Sequence, residues 1–292
     1  MNTKELTRGA MMCAIYGALL FINQQTALSI ETIVPWIFVF PILIYTVNSN
    51  IKMSALVAIA MGLLTVFLGG FTTWFYSWTS IFMGWIYGIG VSKKWSNVLN
   101  LAIAMIINII SMALIVLVWT QLFGMDLSED FALLHKFIPS IDFRVFACLF
   151  IVLMGGLQAL CIHTIALLIF IKMHIETRPM KPIYKVSSPH WVAYVSMFIW
   201  YIYFFGQHMV ELNQMMIDII QLAWFADYAL LVYFGIVYLL DACVRNHKQK
   251  LSFFVILLGF FPPINIIWVI LGELDCLLQL RETKSEVKNE EI

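Results

Sequence analysis

Residues 97–123 read NVLNLAIAMIINIISMALIVLVWTQLF, a predominantly apolar stretch without a charged side chain. About 20 apolar residues in an α-helix cross the hydrocarbon core of a bilayer. Because backbone N–H and C=O groups find no water in hydrocarbon, such a stretch must pair them within itself, as a helix does. The stretch therefore predicts a transmembrane helix, and the lipid bilayer is the first partner that the sequence implies.

The composition of the whole chain agrees with this stretch. Of 292 residues, 62% are hydrophobic and 12% are charged, and the mean hydropathy is +0.91. A soluble domain carries about 25% charged residues, because its surface faces water. The charges here fall in short clusters between apolar stretches, which predicts a polytopic membrane protein of the all-α class. No basic patch is interleaved with aromatic residues, so we expect no nucleic acid partner.

The same length criterion predicts eight or nine transmembrane helices along the chain. The second stretch is short and contains Pro35 and Pro41, which favours a tilted or broken helix. The last contains Pro262 and Pro263 at its centre, so it is either one kinked span or a re-entrant pair of half-helices. The predicted spans lie near residues 9–29, 34–47, 53–71, 73–92, 97–123, 144–173, 191–209, 217–242 and 251–274.

Lysine and arginine residues in short loops predict the orientation, because they accumulate on the cytoplasmic side. With the N-terminus in the cytoplasm, only Lys136 and Arg144 fall outside. The N-terminus runs straight into the first apolar stretch with no small-residue cleavage site, so we expect this stretch to remain as a signal anchor. The cytoplasmic set is Lys4, Arg8, Lys52, Lys93, Lys94, Lys172, Arg178, Lys181, Lys185, Arg245, Lys248 and Lys250.

Two membrane units are predicted, separated by a proline-rich cytoplasmic linker. Residues 1–175 form a six-span unit, and residues 191–292 form a three-span unit that ends in a short polar tail. Proline-rich linkers act as semi-rigid spacers. The linker, residues 176–190, contains Pro179, Pro182 and Pro189.

The first predicted helix carries two rows of small residues that repeat every four positions. Small residues at this spacing allow the backbone of another helix to approach closely. The approaching helix belongs either to this chain or to a separate membrane protein, and the sequence leaves both interpretations open. One row is Gly9, Cys13 and Gly17, and the other is Ala10, Ala14 and Ala18.

Polar side chains near the predicted outer ends of the spans form a candidate ligand site. Three consecutive amides lie within one span, where polar groups are costly. Amides mixed with aromatic rings suit a small, partly polar organic ligand that enters from outside. The alternative is the ordinary belt of Trp and polar residues at a membrane interface. The candidate residues are Asn23, Gln24, Gln25, Glu31, Trp74 and Gln121.

Four further polar residues, Asn108, Gln158, His163 and Asp227, lie deeper in the predicted spans. A carboxylate at the depth of Asp227 must be neutral or paired. Structural hydrogen bonds are the favoured interpretation, and a proton relay is the alternative.

Catalytic and metal-binding patterns are absent from the sequence. It contains no HExxH motif, no GxSxG elbow and no P-loop, so we expect neither an enzyme nor a bound cofactor. If a nucleotide drives this protein, another subunit must bind it. The cysteines form no CxxC pair and have no histidine at ligand spacing, so we expect no metal. They are Cys13, Cys148, Cys161, Cys243 and Cys276.

Residues 6–16, LTRGAMMCAIY, resemble the start of the YybS family, which comprises predicted membrane proteins of Gram-positive bacteria. The resemblance covers nearly the whole chain through hydrophobic patterns, and it implies a multi-pass protein of a bacterial plasma membrane. It continues at Gly69-Gly70, Lys93-Lys94, Pro262-Pro263 and residues 271–275, LGELD.

The YybS family is in turn similar to the substrate-binding S components of energy-coupling factor vitamin transporters. This similarity implies six helices with cytoplasmic termini, and an alanine row on the first helix that docks a coupling subunit. Ala10, Ala14 and Ala18 match that row. It also implies a vitamin-like ligand among the outer loops, where residues 23–31 lie. The additional three-helix unit departs from typical S components.

These observations predict a small-molecule binding and transport component that works with a separate energising subunit, which includes an ATPase. One alternative is a non-transporting scaffold or signalling membrane protein whose first helix docks another partner. The second alternative is a proton-coupled secondary transporter that uses Asp227 and His163. Inverted repeats would favour this last alternative, and the sequence shows none.

Overall fold

A computed structural model gives the fold of the chain. Every regular element among the described residues is helical, which confirms the all-α class there. Two compact units are present: the N-terminal unit comprises Met1–Glu129 and Ala147–Met180, and the C-terminal unit comprises Asp130–Phe146 and Lys181–Ile292. The structure describes residues 3–124, 131–132, 136, 141–178, 186–206, 212–259 and 261–281.

The helices of both units follow the predicted apolar stretches. The N-terminal unit contains α1 (Thr3–Gln25), α2 (Ser29–Ile33), a 3₁₀ turn (Pro35–Val39), α3 (Phe40–Val47), α4 (Ile51–Leu68), α5 (Gly70–Ser92), α6 (Asn97–Phe123) and the greater part of α7 (Phe143–Lys172). The C-terminal unit contains α8 (His190–Tyr201), a π-helical turn (Ile202–Gly206), α9 (Gln214–Arg245), a 3₁₀ turn (Gln249–Leu251), α10 (Ser252–Gly259) and α11 (Pro262–Leu278).

Five of the described helices, namely α1, α4, α6, α7 and α9, are long and apolar enough to cross a membrane. A sixth span is reached if the bent pair of α10 and α11 counts as one. Their outward faces carry large apolar side chains such as Phe67 and Ile171, which hydrocarbon accommodates and water does not. The chain is therefore a membrane-embedded helical protein, and the total of eight or nine spans stays a prediction.

Proline residues divide two of the predicted spans. The span near 34–47 begins as a 3₁₀ turn at Pro35, and Pro41 lies in the first turn of α3. The span near 251–274 is broken into α10 and α11, which are bent by 106°. Proline has no backbone N–H, so it is tolerated in the first turn of a helix and interrupts a longer one. Residues 179–185 of the predicted linker and residues 207–211 lie outside the described part.

The core of the N-terminal unit is built around α5, which packs against α3, α4, α6 and the first 3₁₀ turn. Gly70, with φ of 72°, allows α5 to begin directly after α4 ends. Gly84 brings α5 against the 3₁₀ turn, because a Cβ there would lie 2.5 Å from the carbonyl oxygen of Val39. The close approach buries Leu43, Met83 and other residues of one apolar cluster.

We expect the Gly84→Ala variant to lose about 1–3 kcal/mol of unfolding free energy, since the added methyl group forces two backbones apart. Gly62 of α4 is a matched control, because nothing lies within 4 Å of a Cβ added there. Gly62→Ala should be neutral or stabilising by up to about 1 kcal/mol through helix propensity. Unfolding of the detergent-solubilised protein measures both, and equal stability of the two variants would contradict the packing.

The C-terminal unit contains a buried ion pair alongside its apolar packing. Helix α9 packs against α11, and an added Cβ at Gly235 would overlap the carbonyl oxygen of Trp268. At the far end of α11, the side chain of Arg281 forms an ion pair with Asp275, with Nη2 and Oδ2 2.7 Å apart. The Ser188 hydroxyl donates to the carbonyl oxygen of Asp275 at 3.2 Å, which connects the start of this unit to α11.

Candidate functional site

A cavity of about 670 Å³ lies in the N-terminal unit, at the end where α1 finishes, α5 begins and α6 finishes. The predicted orientation puts this end of the unit outside the cell. Small-molecule sites in proteins usually occupy about 300–1,000 Å³, so the cavity has the volume of one organic ligand. The described residues of its wall are mostly apolar and aromatic, with hydroxyl groups, one amide and one carboxylate.

A tight turn between α1 and α2 forms one edge of the cavity. Ala27 and Leu28 have φ values of 51° and 64°, and both line the cavity. Residues other than glycine adopt this left-handed region at an energetic cost, and surrounding contacts must hold them there. The backbone N–H of Leu28 donates to the carbonyl oxygen of Asn23 at 2.8 Å, which closes the turn.

Asn23 fixes Glu31 at the cavity wall through two hydrogen bonds. The Nδ2 group of Asn23 donates to Oε2 of Glu31 at 2.9 Å, and the backbone N–H of Glu31 donates to Oδ1 of Asn23 at 3.1 Å. Asn23 is completely buried and Glu31 is 8% exposed. Because a buried carboxylate is costly unless it is hydrogen-bonded, Asn23 is the residue that allows Glu31 to lie here.

Aromatic rings form a second part of the wall. Tyr76 of α5 and Trp119 of α6 stack with their ring centroids 5.9 Å apart and an angle of 27° between the planes. Trp36 lies edge-on to Phe40, at 6.1 Å. Such rings offer a large contact area at little entropic cost, and their faces attract positive charge.

Three hydroxyl groups in the wall donate their protons to the backbone of their own helices. Oγ1 of Thr32 donates to the carbonyl oxygen of Leu28 at 2.9 Å. Oγ1 of Thr79 and Oγ of Ser80 donate to the carbonyl oxygen of Tyr76, at 2.8 and 3.4 Å. A hydroxyl that has used its proton keeps its lone pairs, so these groups present hydrogen-bond acceptors to the cavity.

The six predicted ligand-binding residues are divided by the structure. Glu31 lines the cavity and Asn23 lies directly behind it. Nε2 of Gln24 donates to the carbonyl oxygen of Gly69 at 2.7 Å, so this amide holds the end of α1 against the turn between α4 and α5. The remaining three, Gln25, Trp74 and Gln121, are exposed and do not belong to the cavity wall.

The four deeper polar residues have different surroundings. Gln158 lines the cavity. Nδ2 of Asn108 donates to the carbonyl oxygen of Ala104 at 2.8 Å, and Nδ1 of His163 lies 2.7 Å from the hydroxyl of Tyr87. Asp227 belongs to the C-terminal unit, where Ser196 Oγ and Trp200 Nε1 both donate to its Oδ2 at 2.9 Å. Asn108, His163 and Asp227 therefore each have a hydrogen-bond partner within their own unit.

The two rows of small residues on α1 lie in different environments. Gly9 is buried against α4, and a Cβ there would lie 2.8 Å from Cγ2 of Val57. Cys13 and Gly17 of the same row are half-buried. The other row, Ala10, Ala14 and Ala18, is exposed along the length of α1. One row therefore serves packing within the N-terminal unit, and the other, here named the alanine row, presents a flat surface.

Three of the residues of α5 that line the cavity, Tyr76, Thr79 and Ser80, were not predicted from the sequence. Thr72, Tyr76, Thr79 and Ser80 follow one another at intervals of four, three and one, which places all four on one helix face. This spacing is the signal that identifies them, because threonine, serine and tyrosine on one face of an apolar helix indicate a polar contact.

Among the described residues, no group of three His, Cys, Asp or Glu side chains is arranged to hold a metal ion. No protein-family model matches the chain, and no curated protein or solved structure matches it significantly. The function must therefore be inferred from the cavity and the exposed surfaces of the chain itself.

Proposed function

We propose that the chain is the solute-binding component of a membrane transporter, similar to S components and to the YybS family, and that a separate subunit energises it. The observation that carries this proposal is the cavity of about 670 Å³ with Glu31 fixed in its wall. A buried carboxylate beside aromatic rings has no evident purpose in simple packing against lipid, whereas a solute site needs a few fixed polar groups in an apolar wall.

Energy for transport would come from a partner, since the sequence holds no nucleotide-binding loop. The alanine row supports the docking of such a partner, because exposed small residues every four positions let a second helix pack closely in a membrane. The N-terminus would lie in the cytoplasm of a bacterial cell and the cavity would open outside. The solute would then be captured at one end of the N-terminal unit, and the partner would bind along α1.

Native mass spectrometry of the protein, purified gently from its own membrane, tests this proposal. We expect a retained small molecule and a membrane partner that itself binds an ATPase. In the Ala14→Leu variant, the recovery of the partner should fall at least about tenfold, because the larger side chain lifts a docked helix away from α1. The variant should still retain the small molecule. Ala102→Leu is the matched control, since Ala102 is an exposed alanine on α6 of the same unit.

Other outcomes favour a different function. A chain without a bound small molecule, but with a partner released by Ala14→Leu, would support a scaffold or signalling protein. Equal recovery of the partner with wild type and Ala14→Leu would contradict docking on the alanine row.

A further inference from the structure

We propose that the ligand of this cavity is a small organic cation, an ammonium or amidinium group on an aromatic or apolar body, and that Glu31 binds its charge. This inference rests on the proposed function, because it names the chemical class of the solute for the same cavity. Three independent properties of the cavity wall lead to it: its charge, its hydrogen-bonding capacity and its aromatic rings.

The charge of the wall is negative. Among the described residues that line the cavity, Glu31 is the one acidic side chain, and none of them is basic. Its hydrogen-bond partner Asn23 is neutral, so the negative charge is held in place but is not cancelled. Oε2 of Glu31 accepts a hydrogen bond from the side-chain amide of Asn23, and in the proposed complex Oε1 binds the ligand. An ionised carboxylate in a low-dielectric site is stabilised by a cation and repels an anion.

Part of the hydrogen-bonding capacity of the wall complements a ligand rich in N–H groups, and the Gln158 amide and the Tyr76 hydroxyl add groups that can also donate. The hydroxyl oxygens of Thr32, Thr79 and Ser80 act as acceptors, because their protons are already donated to backbone carbonyl groups. Together with Glu31 they form a set of acceptors around one volume. Ammonium and amidinium groups donate several hydrogen bonds and accept none, so they satisfy this set better than a carboxylate or an ether does.

The aromatic and apolar parts of the wall suit the rest of such a ligand. The stacked pair of Tyr76 and Trp119 and the ring of Trp36 offer faces that attract cations and stack on flat rings. Met112, Ile115 and Val116 of α6 add an apolar surface. The volume of about 670 Å³ exceeds that of a bare ammonium ion, so the cavity has room for an organic body beside the charged group.

Three probes of one shape and different charge test the proposal: benzamidine, benzamide and benzoate. Calorimetric titration of the purified full-length protein should show benzamidine binding at least about tenfold more tightly than benzamide, since a charge-assisted hydrogen bond adds this much. Benzoate should bind more weakly than either. In the Glu31→Gln variant, which can keep the hydrogen bond from Asn23, the affinity for benzamidine should fall to that for benzamide.

Glu176→Gln is the matched control, because it removes a carboxylate of the same unit that is exposed and lies 3.7 Å from Lys94. It should leave all three affinities unchanged. If benzamide or benzoate bound the wild-type protein as tightly as benzamidine, the cation proposal would be overturned without any variant. The cavity would remain a solute site. Failure of all three probes to bind also overturns the cation proposal, and the native mass spectrum decides separately whether the proposed function falls as well.

Discussion

Replacement of Arg281 by methionine should lower the free energy of unfolding of the C-terminal unit by about 3–5 kcal/mol. Asp275 is completely buried, and Arg281 is 8% exposed. The guanidinium group contacts Oδ2 of Asp275 through Nε at 2.8 Å and Nη2 at 2.7 Å. Methionine is long and apolar enough to occupy the same space, so the variant leaves the carboxylate buried without its counter-ion.

The same side chain also fixes the segment that precedes α8. Nη1 of Arg281 donates to the carbonyl oxygen of Val186 at 2.5 Å. Two residues further on, the Ser188 hydroxyl donates to the carbonyl oxygen of Asp275. Loss of the guanidinium group therefore removes a connection between the start of this unit and α11, in addition to the ion pair.

Unfolding of the detergent-solubilised protein with increasing denaturant measures the effect of Arg281→Met. The double variant Asp275→Leu, Arg281→Met is the control, because it removes both charges together. We expect it to recover most of the lost stability, since replacing a whole buried ion pair by apolar residues is often neutral. A single variant as stable as the wild type would show that the ion pair does not hold this unit together.

The positions of the helices were predictable from the sequence. The side of each helix that packs against protein was harder to predict. The predicted span 97–123 corresponds to α6, Asn97–Phe123, because the length of an apolar stretch is set by the thickness of the bilayer. An apolar stretch in a membrane is hydrophobic on all sides, so its pattern does not tell which side faces protein. The two rows on α1 looked equivalent in the sequence, and only packing separated buried Gly9 from exposed Ala14.

Only some residues of the candidate site could be predicted, because the sequence does not show which side of a helix faces protein. Polarity at the end of a span was enough to select Asn23 and Glu31, but the contact between them depends on the left-handed turn at Ala27 and Leu28. Neither residue is one that favours this backbone conformation, so the sequence carries no signal for the turn. Trp74 and Gln121 were selected by depth alone, and depth does not determine the direction in which a side chain points.

The Asn23→Leu variant should lose about 3 kcal/mol of unfolding free energy, because it leaves two buried polar groups of Glu31 unpaired. These groups are Oε2, which accepts from Nδ2 at 2.9 Å, and the backbone N–H, which donates to Oδ1 at 3.1 Å. Leucine has the branching of asparagine with larger end groups, so the loss combines the missing hydrogen bonds with some overpacking at this buried position. Benzamidine binding should also weaken at least about tenfold, since Glu31 is no longer held at the wall.

Comparison with the double variant Asn23→Leu, Glu31→Leu separates the contribution of this pair to stability from its contribution to ligand binding. The second substitution eliminates the unpaired carboxylate, and the backbone N–H of residue 31 stays without its acceptor, so about half of the lost stability should return. Binding of benzamidine should not return, because the charge that recognises it is gone. If the double variant bound benzamidine like the wild type, Glu31 would have no contact with the ligand. If the single variant were as stable as the wild type, the Asn23–Glu31 contact would not support the turn at the cavity.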